Sequence, residues 1–305
     1  METQLDLLTK ECVSYTKNGN VADYIPELSK ADPGMLGAYM IAEDGSEFFS
    51  GDYMQPFTIQ SIVKTILLLQ ALIDNGVEAV SEKVGMEATG KPFDAINVTE
   101  QKLDSRHLNP MVNMGAILMC TLIAGNTYEE RFSRVLELTR ILSGNPTIDI
   151  ERKVYLSEKT YGSKNRALAY LLKANGMLAD DVEEVLDCYF QACSISVTCK
   201  DLANIGVVLA NRGRRPGGDE FIVPEEYARY VNATLITCGM YDGSGEFALR
   251  VGVPAKSGVG GGIMAIAPAR MGIGIFSPAL DEKGNSVAGI QLLEKISRQF
   301  KLSIF

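Results

Sequence analysis

Hydrophobic and polar positions along the chain follow two periods in turn. A helical repeat over about residues 5–16 stops at Asn18-Gly19-Asn20. The period then shortens to that of strands at 37–42 and 47–50, separated by Glu43-Asp44-Gly45-Ser46, which predicts a β-hairpin closed by an Asp-Gly turn. From Gln60 to about Asn211 the pattern is helical throughout. It predicts helices over about 61–74, ending at Asn75-Gly76, then 111–124, 128–142, 148–159, 165–174 and 182–193. A further one follows the capping box Thr198-x-x-Asp201 and finishes near Gly213. Beyond a Gly/Pro/Arg-rich stretch at 212–218 and one more helix, strand signals return at 254–257, 262–267 and 271–276, and a closing helix covers about 286–300.

Strand groups at both ends of a chain can share one antiparallel sheet, with the helical middle inserted as a second lobe. The expected fold is therefore α+β. Residues 1–60 with about 215–305 form an α/β lobe, 61–214 form a helical lobe, and the two make one unit with a cleft between them. No repeat of 20 to 50 residues and no low-complexity segment interrupts this plan.

Composition narrows the chemistry. The chain has 305 residues, 29 Lys+Arg against 38 Asp+Glu, six Cys, no Trp and a single histidine. A Ser-His-Asp triad or a multi-histidine zinc site would have to run through His107, so catalysis must use other bases. The acidic balance points away from nucleic acid and anionic membranes as partners. Cys12, Cys120, Cys188, Cys193, Cys199 and Cys238 contain no C-x-x-C pair and read as buried reduced thiols. A zinc site from Cys188, Cys193 and Cys199 is the sharper reading, but its spacing is wrong for a zinc knuckle. Met1-Glu2-Thr3-Gln4 has neither a basic nor an apolar leader character, and the longest apolar stretch, 62–73, carries Lys64 and is too short to span a bilayer. The expected location is the cytoplasm.

Ser61-Ile62-Val63-Lys64 is the first candidate for chemistry. At a helix start the two polar residues are i and i+3 neighbours, so the amine can reach the hydroxyl without a histidine. Ser14-Tyr15-Thr16-Lys17 fits the same spacing, and context separates the two. Ser14 lies at the frayed end of a polar helix, whereas Ser61 opens a helix that is apolar on every face and hence buried. A lysine in its first turn is either a desolvated base of lowered pKa or a side chain that snorkels out of the core. Lys256-Ser257-Gly258-Val259-Gly260-Gly261-Gly262 is the second candidate. It reads as a glycine-rich turn, or as a strand edge where glycines let a substrate approach a backbone amide. A lysine here would also push the Lys64 pKa down by repulsion.

S-x-x-K heading a buried helix, with K-S-G on a strand nearly 200 residues later, resembles the serine β-lactamase-like superfamily, whose third element has a weak match at Ser163-Lys164-Asn165. Within it the chain resembles the serine-dependent glutaminases from Val21 to about Gly289. The match is carried by Val21-Ala22-Asp23-Tyr24-Ile25-Pro26, 57–64, 109–117, Val154-Tyr155-x-Ser157-Glu158, Asn165-Arg166-Ala167, Cys193-Ser194-Ile195-x-Val197-Thr198, Gly239-Met240-Tyr241-Asp242-x-Ser244-Gly245 and 254–263. Val63 and Met114 depart from the family pattern beside the implied functional positions.

The resemblance implies a β-lactamase-like two-lobe fold and hydrolysis of L-glutamine to L-glutamate and ammonia, without metal or organic cofactor. It implies Ser61 as nucleophile, Lys64 as general base, the amides of Ser61 and Val259 as oxyanion hole, and Tyr241 as proton relay. Glu158 would take the substrate α-ammonium, with Asn113, Asn165, Tyr24, Tyr189 and Tyr241 as further binding groups. Lys256, Ser257 and Gly258 would support them. Relatives commonly form homodimers or homotetramers. His107 matches no functional position, and the competing readings are another acyl-transfer enzyme of the superfamily or a non-catalytic amino-acid binder.

Overall fold

A computed structural model describes residues 1–90, 92–95 and 108–305. Helix α1 (Glu2–Cys12) buries Leu5, Thr9 and Cys12 and runs on as a 3₁₀ stretch to Asn18. The predicted hairpin follows as β1 (Gly37–Ala42) and β2 (Glu47–Gly51), turning at Gly45, whose φ of +86° disfavours any β-carbon. A two-residue strand, β3 (Phe57–Thr58), leads through a 3₁₀ turn at Gln60–Ile62 into α2 (Val63–Lys83). This helix is interrupted at Gly76 (φ +80°), where the sequence predicts its stop.

Helices α3 (Asn113–Leu122), α4 (Tyr128–Ser143), α5 (Arg152–Tyr161), α6 (Ser163–Ala174) and α7 (Val182–Cys193) follow the predicted spans within a few residues. The middle of the chain is not helical throughout, however. Strand β4 (Ser196–Val197) pairs antiparallel with β3, Phe57 opposite Val197 and Thr58 opposite Ser196. Next comes α8 (Cys199–Ala210), closed at its start by the predicted reciprocal bonds between Thr198 and Asp201. The chain ends with α9 (Glu225–Cys238), the short α10 (Ser244–Arg250), β5 (Ala255–Ser257), β6 (Gly262–Ala267), β7 (Met271–Phe276) and α11 (Val287–Phe300).

Strands from the two ends of the chain share one antiparallel sheet, in the order β2-β1-β7-β6-β5. The sequence of β7 explains its layering. In Met271-Gly272-Ile273-Gly274-Ile275-Phe276 every second residue faces one side. Ile273 and Ile275 join Leu5, Met40, Leu292 and Ile296 in the core under α1 and α11. Gly272 and Gly274 face α8, whose backbone lies so close that a β-carbon on Gly274 would stand 2.0 Å from the Cys199 carbonyl oxygen. The opposite side of α8 joins the large helical core with Leu67, Ile117 and Leu186. Helix α8 is thus the layer shared by sheet and helical lobe, and the architecture is the expected α+β arrangement.

Candidate active site

The segment before α2 is set by the β3–β4 pair and by the Ile59 amide, which donates to the Ile195 carbonyl at 2.8 Å. Gln60 then takes a left-handed φ of +47°, a conformation that costs a non-glycine residue of the order of 1–3 kcal/mol. Ser61 follows in the 3₁₀ turn, and Lys64 enters the first turn of α2 with no exposed surface. Its amine donates to the Met111 carbonyl at 3.1 Å and to Asn113 Oδ1 at 2.6 Å. Burial depresses the Lys64 pKa from 10.5 to about 7, against the opposing influence of Cys193 and Asp94. A neutral amine has two N–H bonds. Both are used, and the lone pair remains for a proton from Ser61. The snorkelling alternative is excluded, because the amine points into the protein.

Glycines bring the second motif against this turn. A β-carbon on Gly258 would lie 2.8 Å from the Ile59 carbonyl oxygen, and one on Gly260 2.7 Å from that of Thr58. The backbone on either side of Val259 therefore presses directly on the strand that delivers Ser61. The turn closes through Gly258 N–H to the Gly262 carbonyl and Gly261 N–H to the Gly258 carbonyl, both 2.9 Å. Beneath it, Lys256 is fully buried and donates to the carbonyls of Gly239 (3.0 Å) and Ser257 (2.7 Å), with its amine 4.3 Å from the centre of the Tyr241 ring. Burial is the leading cause of the lowered Lys64 pKa, and burial followed by repulsion between the two lysines holds Lys256 well below the usual lysine range.

Tyr24, Ser61, Asn113, Glu158, Asn165, Tyr189 and Val259 all line one cleft of about 380 Å³, a size suited to a small molecule. Glu158 is buried, and its Oε1 accepts the Tyr24 hydroxyl at 2.6 Å. Burial raises the Glu158 pKa, while the bonds from Tyr24 and Gln60 oppose that rise. The Tyr24 ring is 49% exposed, yet its hydroxyl is enclosed, also lying 3.2 Å from Gln60 Oε1, and burial followed by the Glu158 charge pushes its pKa well up. Asn113 links Lys64 to the far wall, because its Nδ2 donates to Asn165 Oδ1 at 2.8 Å. Of the weak Ser163-Lys164-Asn165 match, Lys164 and Asn165 line the cleft and Ser163 does not.

Tyr241 also has a left-handed φ, +55°, and its ring lines a pocket next to the cleft. Its buried hydroxyl has no full hydrogen bond to another protein group but lies near the Ser61 hydroxyl, which partly offsets the strong upward push of burial on its pKa. Its ring packs on Phe93, with centroids 4.3 Å apart.

The sequence reading missed Gln60, Phe93, Asp94 and Cys193 as cleft residues. Phe93 covers Lys64, whose amine is 5.5 Å from the ring centre, and Asp94 pairs with Lys164 at the cleft wall. Ser14 and Lys17 are exposed. Cys199 reaches the Gly37 carbonyl on the sheet side, away from Cys188 and Cys193, and no group of three metal-binding side chains occurs among the described residues. His107 lies outside the described residues. Among them no helix is long and apolar enough to cross a membrane.

An antiparallel sheet joined through one helix to a helical lobe, with a serine three residues from a buried lysine at their junction, is the arrangement of the serine β-lactamase-like fold class. Comparison with known proteins narrows the class. The Glutaminase family model matches residues 19–305. A glutaminase of Clostridium tetani is 52% identical over 305 residues, the whole of both chains. The structure superposes on a probable glutaminase from Bacillus subtilis complexed with 6-diazo-5-oxo-L-norleucine, with a TM-score of 0.91, 37% identity, and coverage of 100% of this chain and 97% of that one. A covalent complex of the Bacillus subtilis glutaminase with 5-oxo-L-norleucine matches with a TM-score of 0.91 at 36% identity, covering 100% and 99%. The chain belongs to the glutaminase family.

Proposed function

We propose that the chain hydrolyses L-glutamine to L-glutamate and ammonia through a γ-glutamyl ester on Ser61. The observation that carries this reading is the placement of Lys64: a fully buried amine, about half neutral at pH 7 instead of almost wholly charged, in the turn that follows a serine facing a cleft. Lys64 takes the Ser61 proton as the hydroxyl oxygen bonds to the amide carbon, a contribution of about 10² to 10⁴ in rate. Negative charge on the amide oxygen is met by the Ser61 and Val259 amides, the former at a helix start where the dipole assists. Tyr241 then passes a proton to the nitrogen, ammonia leaves, and water attacks the ester with Lys64 and Tyr241 again moving the protons.

The α-ammonium group pairs with Glu158, and the amides of Asn113 and Asn165 with the hydroxyls of Tyr24 and Tyr189 hold the rest of the substrate. Covalent capture of a glutamine analogue by the Bacillus subtilis relative supports the nucleophilic step. Lys256, Ser257 and Gly258 hold the oxyanion turn. Residues 1–60 with about 215–305 serve as the α/β lobe and 61–214 as the helical lobe of one catalytic unit. That unit works as a homodimer or homotetramer in the cytoplasm. The test is ammonia release from glutamine and asparagine by the parent, Ser61→Ala and Lys64→Ala proteins. Glutamine turnover that survives Ser61→Ala in a folded protein sinks the reading.

A further inference from the structure

We propose that the pocket behind Phe93 and Tyr241 is the port by which the leaving amine departs, and through which ammonia and amines of similar size reach the acyl-enzyme. This inference rests on the acyl-enzyme reading above. The pocket has a volume of about 180 Å³, and its walls include Phe93, Asn109, Thr237, Tyr241, Asp242 and Gly245. Phe93 borders both this pocket and the substrate cleft. Tyr241, the group that hands a proton to the leaving nitrogen, has its hydroxyl near Ser61 and also borders the pocket.

Reaction order supplies the reason for a second opening. Ammonia must leave while the glutamyl group is still esterified to Ser61 and its α-substituents still occupy the Tyr24, Glu158 and Asn165 end of the cleft. The nitrogen is released on the Tyr241 side, where the next space is this pocket. The exposed Asp242 carboxylate on its wall suits an ammonium ion, whereas the Asn109 amide is already bonded to the Glu87 carbonyl and the Met111 amide and the Thr237 hydroxyl to the Thr234 carbonyl. The buried Tyr241 hydroxyl, with no full bond to another protein group, lies near the Ser61 hydroxyl and meets the nitrogen at that edge of the cleft, with its ring toward the pocket.

The same port admits an amine in place of water. With hydroxylamine, the nitrogen bonds to the γ-carbonyl carbon and the ester bond to Ser61 Oγ breaks. One nitrogen proton passes through Tyr241 and Lys64 to restore the serine hydroxyl, and γ-glutamyl hydroxamate is the product. The amine therefore competes with water according to how easily it passes the pocket.

Two substitutions add bulk to the pocket lining. A β-carbon at Gly245 meets nothing within 4 Å, so Gly245→Phe adds a ring without a backbone clash, and Thr237→Phe fills from the last turn of α9. The measurement is the ratio of hydroxamate to glutamate formed from glutamine at one fixed hydroxylamine concentration. A second readout is the rate of covalent labelling by 6-diazo-5-oxo-L-norleucine, followed by mass spectrometry. The expected result is a ratio at least five-fold below the parent in both variants, with labelling within two-fold of the parent. A ratio within two-fold of the parent in either variant that labels normally overturns the port. A parent protein that neither labels nor forms hydroxamate overturns the acyl-enzyme reading itself, which is a separate result.

Discussion

Replacing Lys64 with methionine removes a group that the fold holds out of water, and the structure gives the size and pH dependence of the effect. The unfolded chain keeps its lysine at the ordinary value of 10.5, while burial in the folded protein lowers it to about 7. Between those values the unfolded state binds the extra proton, so the stability of the parent rises with pH across this window and is lowest below about pH 7. At about 1.4 kcal/mol for each tenfold change, the full displacement amounts to about 5 kcal/mol. Methionine has similar length and no charge, so the variant escapes that cost. It also strips donors from the Met111 carbonyl and Asn113 Oδ1, each loss costing about 1–3 kcal/mol unless Asn113 turns to a new partner. The two losses together cost about 2–6 kcal/mol, so below pH 7 the variant should lie between about 3 kcal/mol more stable and about 1 kcal/mol less stable than the parent. That difference should fall by about 1.4 kcal/mol per pH unit between pH 7 and pH 10, leaving the variant the less stable protein by pH 10. Urea unfolding at equal protein concentration, in steps from pH 6 to pH 10, measures the difference, and ammonia release should fall at least 10²-fold in the same variant. A difference in stability that stays flat across that range means Lys64 does not change its protonation there, and the argument for its role as a neutral base fails with it.

Three further outcomes follow from the same geometry. The kcat/KM of the parent should rise with pH to a plateau with a midpoint near 7, as Lys64 loses its proton, and Asp94→Asn should move the midpoint to lower pH because a carboxylate favouring the ammonium is gone; an unmoved midpoint contradicts the assignment. Glu158→Gln should raise KM for glutamine roughly 10-fold or more with a smaller change in kcat, as steady-state kinetics would record, since it removes the charge offered to the α-ammonium while keeping an acceptor for Tyr24. Gly274→Ala should destabilise the protein by about 3 kcal/mol, because its β-carbon would strike the α8 backbone, whereas Gly218→Ala, in open space, should be neutral in thermal melts.

The strands at the two ends of the chain were legible because each is a short apolar run between strong turn residues, and their sharing of one sheet followed from that grouping. β3 and β4 were not, since two residues have no period to read, and α10 opens with Ser244-Gly245 and is too brief to show one. In the site, Ser61 and Lys64 stood out through the uniformly apolar helix behind them, while Tyr24, Asn113, Glu158, Asn165 and Tyr189 were legible only by resemblance to a family. The left-handed turns at Gln60 and Tyr241 left no trace in composition, because neither is glycine or asparagine. Those turns decide which pocket Tyr241 borders, and the cover that Phe93 places over Lys64 is equally a product of tertiary packing.

The bare face of β7 has a mechanical consequence. With glycine at 272 and 274, helix α8 lies directly on the strand backbone, with almost no side-chain layer between them to shear. Ser61, the proposed nucleophile, is joined to that helix through β3, β4 and Thr198, and the proposed oxyanion turn at 258–261 hangs from the neighbouring strands of the same sheet. The two halves of the reaction centre therefore travel as a single rigid body. Helix α5, which carries Glu158, stands outside that body and can accumulate substitutions with less effect on the distance at which bonds are made and broken, whereas α6 is tied to Lys64 through Asn165 and Asn113. Substrate preference should thus be the evolvable property of this scaffold, and the acyl-transfer step the inherited one.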